Sequence, residues 1–337
     1  MTLTVGQNEE HPGKSFISTG QLPASAIIQN LVDDAYTRYR SVEDGKNASY
    51  YPALADVPHD LFGICITHVN GREFTAGDVD YEFTIMSIAK PFTLALVCQA
   101  LGGDLVREKV GLNATGLPFN SIAAIELHPD RKTNPMVNPG ALATASLVPG
   151  ETAEDKWRFI REGLSRFAGR ELVLNEEVYA SAVASNSRNR GISRILYDYK
   201  RLYFDPDATT DIYTRQSSLN VTARDLAVMA ATLADGGVNP RTKERVIDAS
   251  HCQLVLAVMA MSGMYNSSGD WLVDVGLPAK SGVGGGIITV APGKGGLSTF
   301  APPLDGAGNS VKGQLVAQYL SERLGMNLFA SEAMDEA

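Results

Sequence analysis

A serine stands three residues ahead of a lysine in Phe83-Thr84-Ile85-Met86-Ser87-Ile88-Ala89-Lys90-Pro91-Phe92, where an apolar run begins that ends at Gly102-Gly103. A helix over 87–101 would project Ser87 and Lys90 from neighbouring positions on one face. The hydroxyl would then sit at the helix N-terminus, where backbone N–H groups and the macrodipole favour developing negative charge. A serine hydroxyl needs a base to become nucleophilic, and a lysine in a dry pocket sheds its proton readily enough to be one. The same spacing also describes an N-cap serine beside a surface lysine.

A second informative stretch lies far downstream, in Lys280-Ser281-Gly282-Val283-Gly284-Gly285-Gly286-Ile287. Small residues at a strand entrance let a backbone come close to a bound substrate. A backbone N–H there, joined by that of the nucleophile, makes an oxyanion hole worth ~3 kcal/mol per donor. The plainer reading is a glycine-rich turn. A third stretch, Met261-Ser262-Gly263-Met264-Tyr265-Asn266, offers Tyr265 as a proton relay or as an ordinary half-buried tyrosine. The histidines (His11, His59, His68, His128 and His251) lack metal-ligand spacing, and there is no C-x-x-C. Asp205-Pro206-Asp207 hints at a calcium loop, but Thr210 stands where the loop glycine belongs. No metal and no cofactor is expected.

These residues need elements to carry them, and the chain is long enough for about two domains. It has 337 residues, 44% of them apolar and 20% charged, so a large core is expected. Lys+Arg 29 against Asp+Glu 38 leaves a net charge of −9, which argues against nucleic acid or an anionic membrane as the main partner. The apolar runs are too short to span a bilayer. The N-terminus lacks the basic and apolar regions of a secretory signal. Cys65, Cys98 and Cys252 read as buried free thiols in a reducing cytoplasm.

Pro23 opens an amphipathic helix, and Leu61–Val69 reads as a strand turned back by a type I′ Asn70-Gly71 hairpin. From about 87 to 265 the pattern is mainly helical, with capping boxes at Thr152/Asp155 and Thr222/Asp225. Strand signals return at Leu272–Val275, Ile287–Val290 and Leu297–Phe300, before a last helix from about Asn309 to Leu324. Strands near both termini with helices between them imply an α+β protein with a mixed or antiparallel sheet built from the two chain ends. The expected division is a sheet domain over 21–86 and 270–326, a helical domain over 87–269, and flexible tails at 1–20 and 330–337.

Taken together, S-x-x-K and K-S-G resemble the penicillin-recognising serine hydrolases, and longer strings narrow the likeness. Tyr50-Tyr51-Pro52, Asn134-Pro135-Met136-Val137-Asn138-Pro139-Gly140-Ala141, Ser187-Arg188-Asn189, Tyr213-x-x-Gln216-Ser217, Gly263-Met264-Tyr265 and Pro302-Pro303-Leu304-Asp305 are similar to the serine-dependent glutaminases. The likeness runs in order over about residues 25–326. It implies a β-lactamase-like fold and metal-free hydrolysis of L-glutamine to L-glutamate and ammonia. By the same likeness Ser87 is the nucleophile, Lys90 its base, and Tyr50 and Tyr265 relays, with Lys280 a further catalytic residue. The N–H groups of Ser87 and Val283 would form the oxyanion hole, and Asn138, Asn189, Tyr213 and Tyr265 would line the substrate pocket. A homodimer or homotetramer is expected on the same analogy.

The chain departs from that family's pattern at two places. Met86 stands where a glutamine usually precedes the serine, and Ala182 replaces a glutamate that in relatives faces the substrate's α-ammonium. Two rival functions follow: the same serine–lysine apparatus acting on another amide or ester, and a non-catalytic binding protein that has kept the fold.

Overall fold

The computed structural model describes residues 21–331, so the expected tail at 1–20 and most of that at 330–337 lie outside the described residues. Among the described residues seven strands form: β1 (Gly63–His68), β2 (Glu73–Gly77), β3 (Phe83–Thr84), β4 (Asn220–Val221), β5 (Ala279–Ser281), β6 (Gly286–Ala291) and β7 (Gly295–Phe300). The main sheet has the order β2-β1-β7-β6-β5, and every pairing in it is antiparallel. Both chain ends supply it. Cα partners include Gly63 with Phe300, Gly286 with Phe300, and Lys280 with Ile288.

Side chains alternate across a strand, and here both faces are covered. Ile64, Ile66, Ile287 and Leu297 point to a core shared with the Ser25–Tyr39 and Val311–Arg323 helices. Cys65, Ile288, Val290 and Phe300 point to the other core, built against the Ala89–Leu101, Ala153–Ala168 and Ala223–Ala234 helices. That two-sided burial explains why β6 and β7 are buried throughout, Thr289, Ser298 and Thr299 included, instead of alternating between buried and exposed positions. Both expected capping boxes form: Thr152 Oγ1 accepts the Asp155 N–H, and Thr222 Oγ1 accepts the Asp225 N–H, each at 3.1 Å. Cys65, Cys98 and Cys252 are free and buried. Among the described residues, no helix is long and apolar enough to cross a membrane.

Two local expectations fail, each for a physical reason. Leu272–Val275 is not a strand; Ser268–Asp274 is a short helix. Trp271 and Val275, spaced for one helical face, are buried, while Val273 is 80% exposed, an arrangement a strand would not give. Asn70-Gly71 is not a type I′ turn, since Gly71 alone of the two has positive φ, at 92°. The Gly71 N–H reaches His68 O at 2.8 Å and the His68 N–H reaches Arg72 O at 2.9 Å, which makes the connection a three-residue loop with glycine at its left-handed position. Asp205 is a helix cap, its Oδ1 accepting the Ala208 N–H at 2.8 Å ahead of Pro206 at the start of the Pro206–Ser217 helix.

Candidate active site

Ser87 lies in a single 3₁₀ turn, Met86–Ile88, that leads into the Ala89–Leu101 helix, so the first turn is tighter than a continuous α-helix from 87. Pairing of β3 with β4 holds the incoming chain, and the Ile85 N–H donates to Leu219 O at 2.9 Å. Met86 is forced to φ 48°, a left-handed value that stores of order 1–3 kcal/mol in a residue with a side chain. Gly282 of the Lys-Ser-Gly stretch presses against this turn. A Cβ there would stand 3.0 Å from Ile85 O and 3.1 Å from Ile88 Cγ1. The backbone that this small residue admits is that of the serine's own turn.

One helical turn on, Lys90 is buried and its Nζ donates to Asn138 Oδ1 at 2.8 Å and to Met136 O at 3.3 Å. Burial without an acidic partner disfavours the ammonium and lowers its pKa to about 7. Asn138 is a junction, for it also accepts from Tyr213 Oη at 3.2 Å and donates through Nδ2 to Asn189 Oδ1 at 3.0 Å. The loop before it explains its placement. Buried Asn134 donates to Leu112 O at 2.7 Å and accepts the Met136 N–H at 2.8 Å, and the Asn138 N–H is held by Phe119 O at 2.7 Å. Pro139 then starts the Asn138–Leu147 helix. Gln216 does its work at a distance from the pocket: its Oε1 accepts from Thr93 at 3.0 Å and docks the Tyr213 helix on the Lys90 helix.

Tyr265 is a second strained residue, with φ 54°. Its phenol donates to Ser281 O at 3.0 Å and lies within hydrogen-bonding reach of the Ser87 hydroxyl. Burial keeps the phenol protonated well above the usual tyrosine range, with the Ser87 contact opposing in part. Lys280 is fully buried, donating to Gly263 O at 2.9 Å and to Ser281 O at 2.7 Å, with Nζ 4.2 Å from the Tyr265 ring centroid. Burial first, then the charge of Lys90, holds its amine well below the ordinary lysine value.

Ser87, Asn138, Asn189, Tyr213 and Val283 line one cavity of ≈ 120 Å³, whereas Lys90, Tyr265 and Lys280 are buried and are not among its lining residues. Tyr50 stands at its mouth, 57% exposed, with its ring edge-on to Phe119 at 6.4 Å. Phe119 in turn packs on Tyr265 at 4.9 Å. Sequence reasoning passed over Phe119, Asn120, Ser185 and Asn186, which also line the cavity, and gave no pocket role to Tyr51, Arg188 and Ser217, although it quoted all three in motifs. Ser185 and Asn186 adjoin the quoted Ser187-Arg188-Asn189 string, and that adjacency was the available signal. Ala182 is buried, 2% exposed, on the Glu176–Ser185 helix, on the same stripe as Val178 and Ser185. Among the described residues no cluster of His, Cys, Asp and Glu is arranged to hold a metal ion.

The family described as Glutaminase matches residues 45–329. The chain belongs to the glutaminase family. It is 60% identical over 321 residues to Glutaminase 2 of Yersinia pestis, covering 95% of this chain and 94% of that one. It is 52% identical over 308 residues to the glutaminase of Brucella canis, with 91% and 97% covered. Of solved structures, the probable glutaminase ybaS superposes with a TM-score of 0.90 at 44% identity, covering 92% of this chain and all of that one. The probable glutaminase from Bacillus subtilis, complexed with 6-diazo-5-oxo-L-norleucine, superposes with a TM-score of 0.80 at 29% identity, covering 91% and 98%. The fold is that of these glutaminases, an α+β architecture of the β-lactamase-like kind.

Proposed function

We propose that this glutaminase hydrolyses the side-chain amide of L-glutamine or a close relative through an ester on Ser87. The single observation that carries the reading is geometric: one helical turn from a serine that lines the cavity, a lysine amine is buried without an acidic partner, and that burial lowers its pKa to about 7. Such an amine is neutral about half the time at neutral pH and is matched to take a hydroxyl proton.

In the reading, Ser87 Oγ attacks the amide carbon while its proton passes to Lys90, directly or through Tyr265. The carbonyl oxygen gathers negative charge and is met by the N–H groups of Ser87 and Val283. Collapse breaks the C–N bond as the amide nitrogen takes a proton from the Lys90–Tyr265 pair, and ammonia departs. Water then adds to the ester carbon, loses its proton to the same pair, and releases Oγ and the free acid. Met86 and Tyr265, both held at left-handed φ, fix the serine and the phenol before substrate arrives.

Mass spectrometry after incubation with 6-diazo-5-oxo-L-norleucine, alongside an ammonia-release assay on L-glutamine, tests the proposal. An adduct on Ser87, absent from Ser87→Ala, together with serine-dependent ammonia release is expected. Neither adduct nor ammonia from a folded protein would refute it and favour the binding-protein alternative.

A further inference from the structure

A free amino acid brings an ammonium into its pocket, and a buried ammonium needs an anion or several acceptors to replace its water. Among the described residues lining the cavity none is Asp or Glu, and the one charged side chain is Arg188. Its Nε is fixed on Asn120 O at 2.8 Å, which sets the guanidinium at the rim. Behind the cavity lie the Lys90 and Lys280 amines, again with no carboxylate between them. The field in this pocket is neutral to positive.

The wall beside Ser87 is apolar as well. Met86 packs in one buried cluster with Val178, Ala48, Leu54 and Leu304, and Tyr51 and Val283 lean on it. Val178, Ala182 and Ser185 are spaced i, i+4, i+7 along one helix, with Val178 in the Met86 cluster and Ser185 lining the cavity. Ala182, between them, ends in a methyl group. An ammonium pressed toward this wall would lose its water and meet no carboxylate, only the Tyr51 and Ser185 hydroxyls.

We propose that the preferred substrate is an ω-amide of a five-carbon acid whose α-carbon carries no ammonium: a deaminated, 2-oxo or N-acylated counterpart of glutamine. Its carboxylate meets Arg188 and the Asn138, Asn189 and Tyr213 amides and phenol, while its uncharged α-substituent rests on the Met86 wall. The proposal rests on the amidohydrolase reading above and names the substrate class of that same site.

The test is ammonia release by the full chain from glutaramate (5-amino-5-oxopentanoate), 2-oxoglutaramate, N-acetyl-L-glutamine and L-glutamine at equal concentrations. The expected kcat/KM for glutaramate exceeds that for L-glutamine by about tenfold, and Ala182→Glu reverses the order. A parent ratio of one or below overturns the proposal whether or not the variant folds. A ratio above one that Ala182→Glu leaves unchanged in a folded protein overturns the assignment to this wall. No ammonia from any of the four amides, with Ser87 unlabelled, would instead bring down the amidohydrolase reading on which the proposal stands.

Discussion

Lys90 Nζ sits 2.8 Å from Asn138 Oδ1, and both side chains are buried. The acceptor is an uncharged amide, so it orients the amine without making the ammonium favourable. A carboxylate in that place would hold the proton on Lys90, since an opposite charge at this range raises an amine's pKa by ~1–3 units.

The pH dependence of turnover follows. Neutral Lys90 is the active form, so kcat/KM rises through pH about 7 and levels off above it. Asn138→Asp moves that rising limb upward by at least ~1 unit and lowers kcat/KM at neutral pH by at least ~10-fold. A pH–rate profile of the variant decides it, and an unmoved limb would show that another group is the base.

Stability carries the same signature with a defined sign. Below about pH 7 folded and unfolded chains both bind the Lys90 proton; between there and the ordinary lysine value of 10.5 only the unfolded chain does. Unfolding free energy therefore rises with pH across this window, by up to ~1.4 kcal/mol per unit. Lys90→Met lacks that slope. Urea unfolding at pH 7.5 and 9.5 should show the parent gaining ~2 kcal/mol relative to the variant. Parallel curves would mean that the folded amine titrates normally.

Tyr265→Phe separates chemistry from packing. The ring's contacts with Phe119 and Lys280 survive, while the hydroxyl shared by Ser87 and Ser281 O is lost. The expected result is a kcat lower by ~10²-fold, in keeping with loss of one proton-transfer group, with KM within a few-fold of the parent. A lowered Tm with kcat close to the parent's would assign the phenol a structural role instead.

Ser87 and Lys90 were legible because they are local in sequence, whereas the widely separated Asn138, Asn189, Tyr213 and Tyr265 were assigned to the pocket through the family resemblance. Ser87 and Lys90 share one turn, and the caps at Thr152 and Thr222 are read from four residues each. What stayed hidden depends on tertiary placement. Leu272–Val275 has the composition of a strand, but Trp271 fixes the segment as a helix by donating from its indole to Leu277 O at 2.8 Å and burying its ring. Phe119 and Asn120 are held at the cavity by the Asn138 N–H on Phe119 O and by Arg188 Nε on Asn120 O, links that no periodicity reveals. The left-handed φ of Met86 is likewise set by its neighbours, for nothing in a methionine asks for it.

Gly282→Ala reports on how the serine's turn is held. The added methyl meets Ile85 O at 3.0 Å, a backbone atom with little room to retreat because the Ile85 N–H is tied to Leu219 O. The turn must shift by a few tenths of an ångström, enough to misalign Ser87. A kcat lower by ~10-fold with a Tm lower by a few degrees is expected. Unchanged kcat in the folded variant would show that the turn tolerates the displacement.

Asp225 governs the helix that packs against β7 at the centre of the molecule. One carboxylate oxygen takes the Thr222 N–H and hydroxyl at 2.9 Å each and the Arg170 Nη2 at 2.6 Å, and the side chain is almost fully buried. Asp225→Ala removes half of a capping box and leaves a guanidinium facing a methyl group, at a cost of ~3 kcal/mol. Asp225→Asn keeps an acceptor for the cap and loses the charge, which confines the loss to ~1–2 kcal/mol. Adding Arg170→Ala to each variant completes a double-mutant cycle. The ion pair predicts that Arg170→Ala destabilises the parent by clearly more than it destabilises Asp225→Ala. Strictly additive losses would leave the cap as the whole of Asp225's contribution and reduce the 2.6 Å contact to proximity.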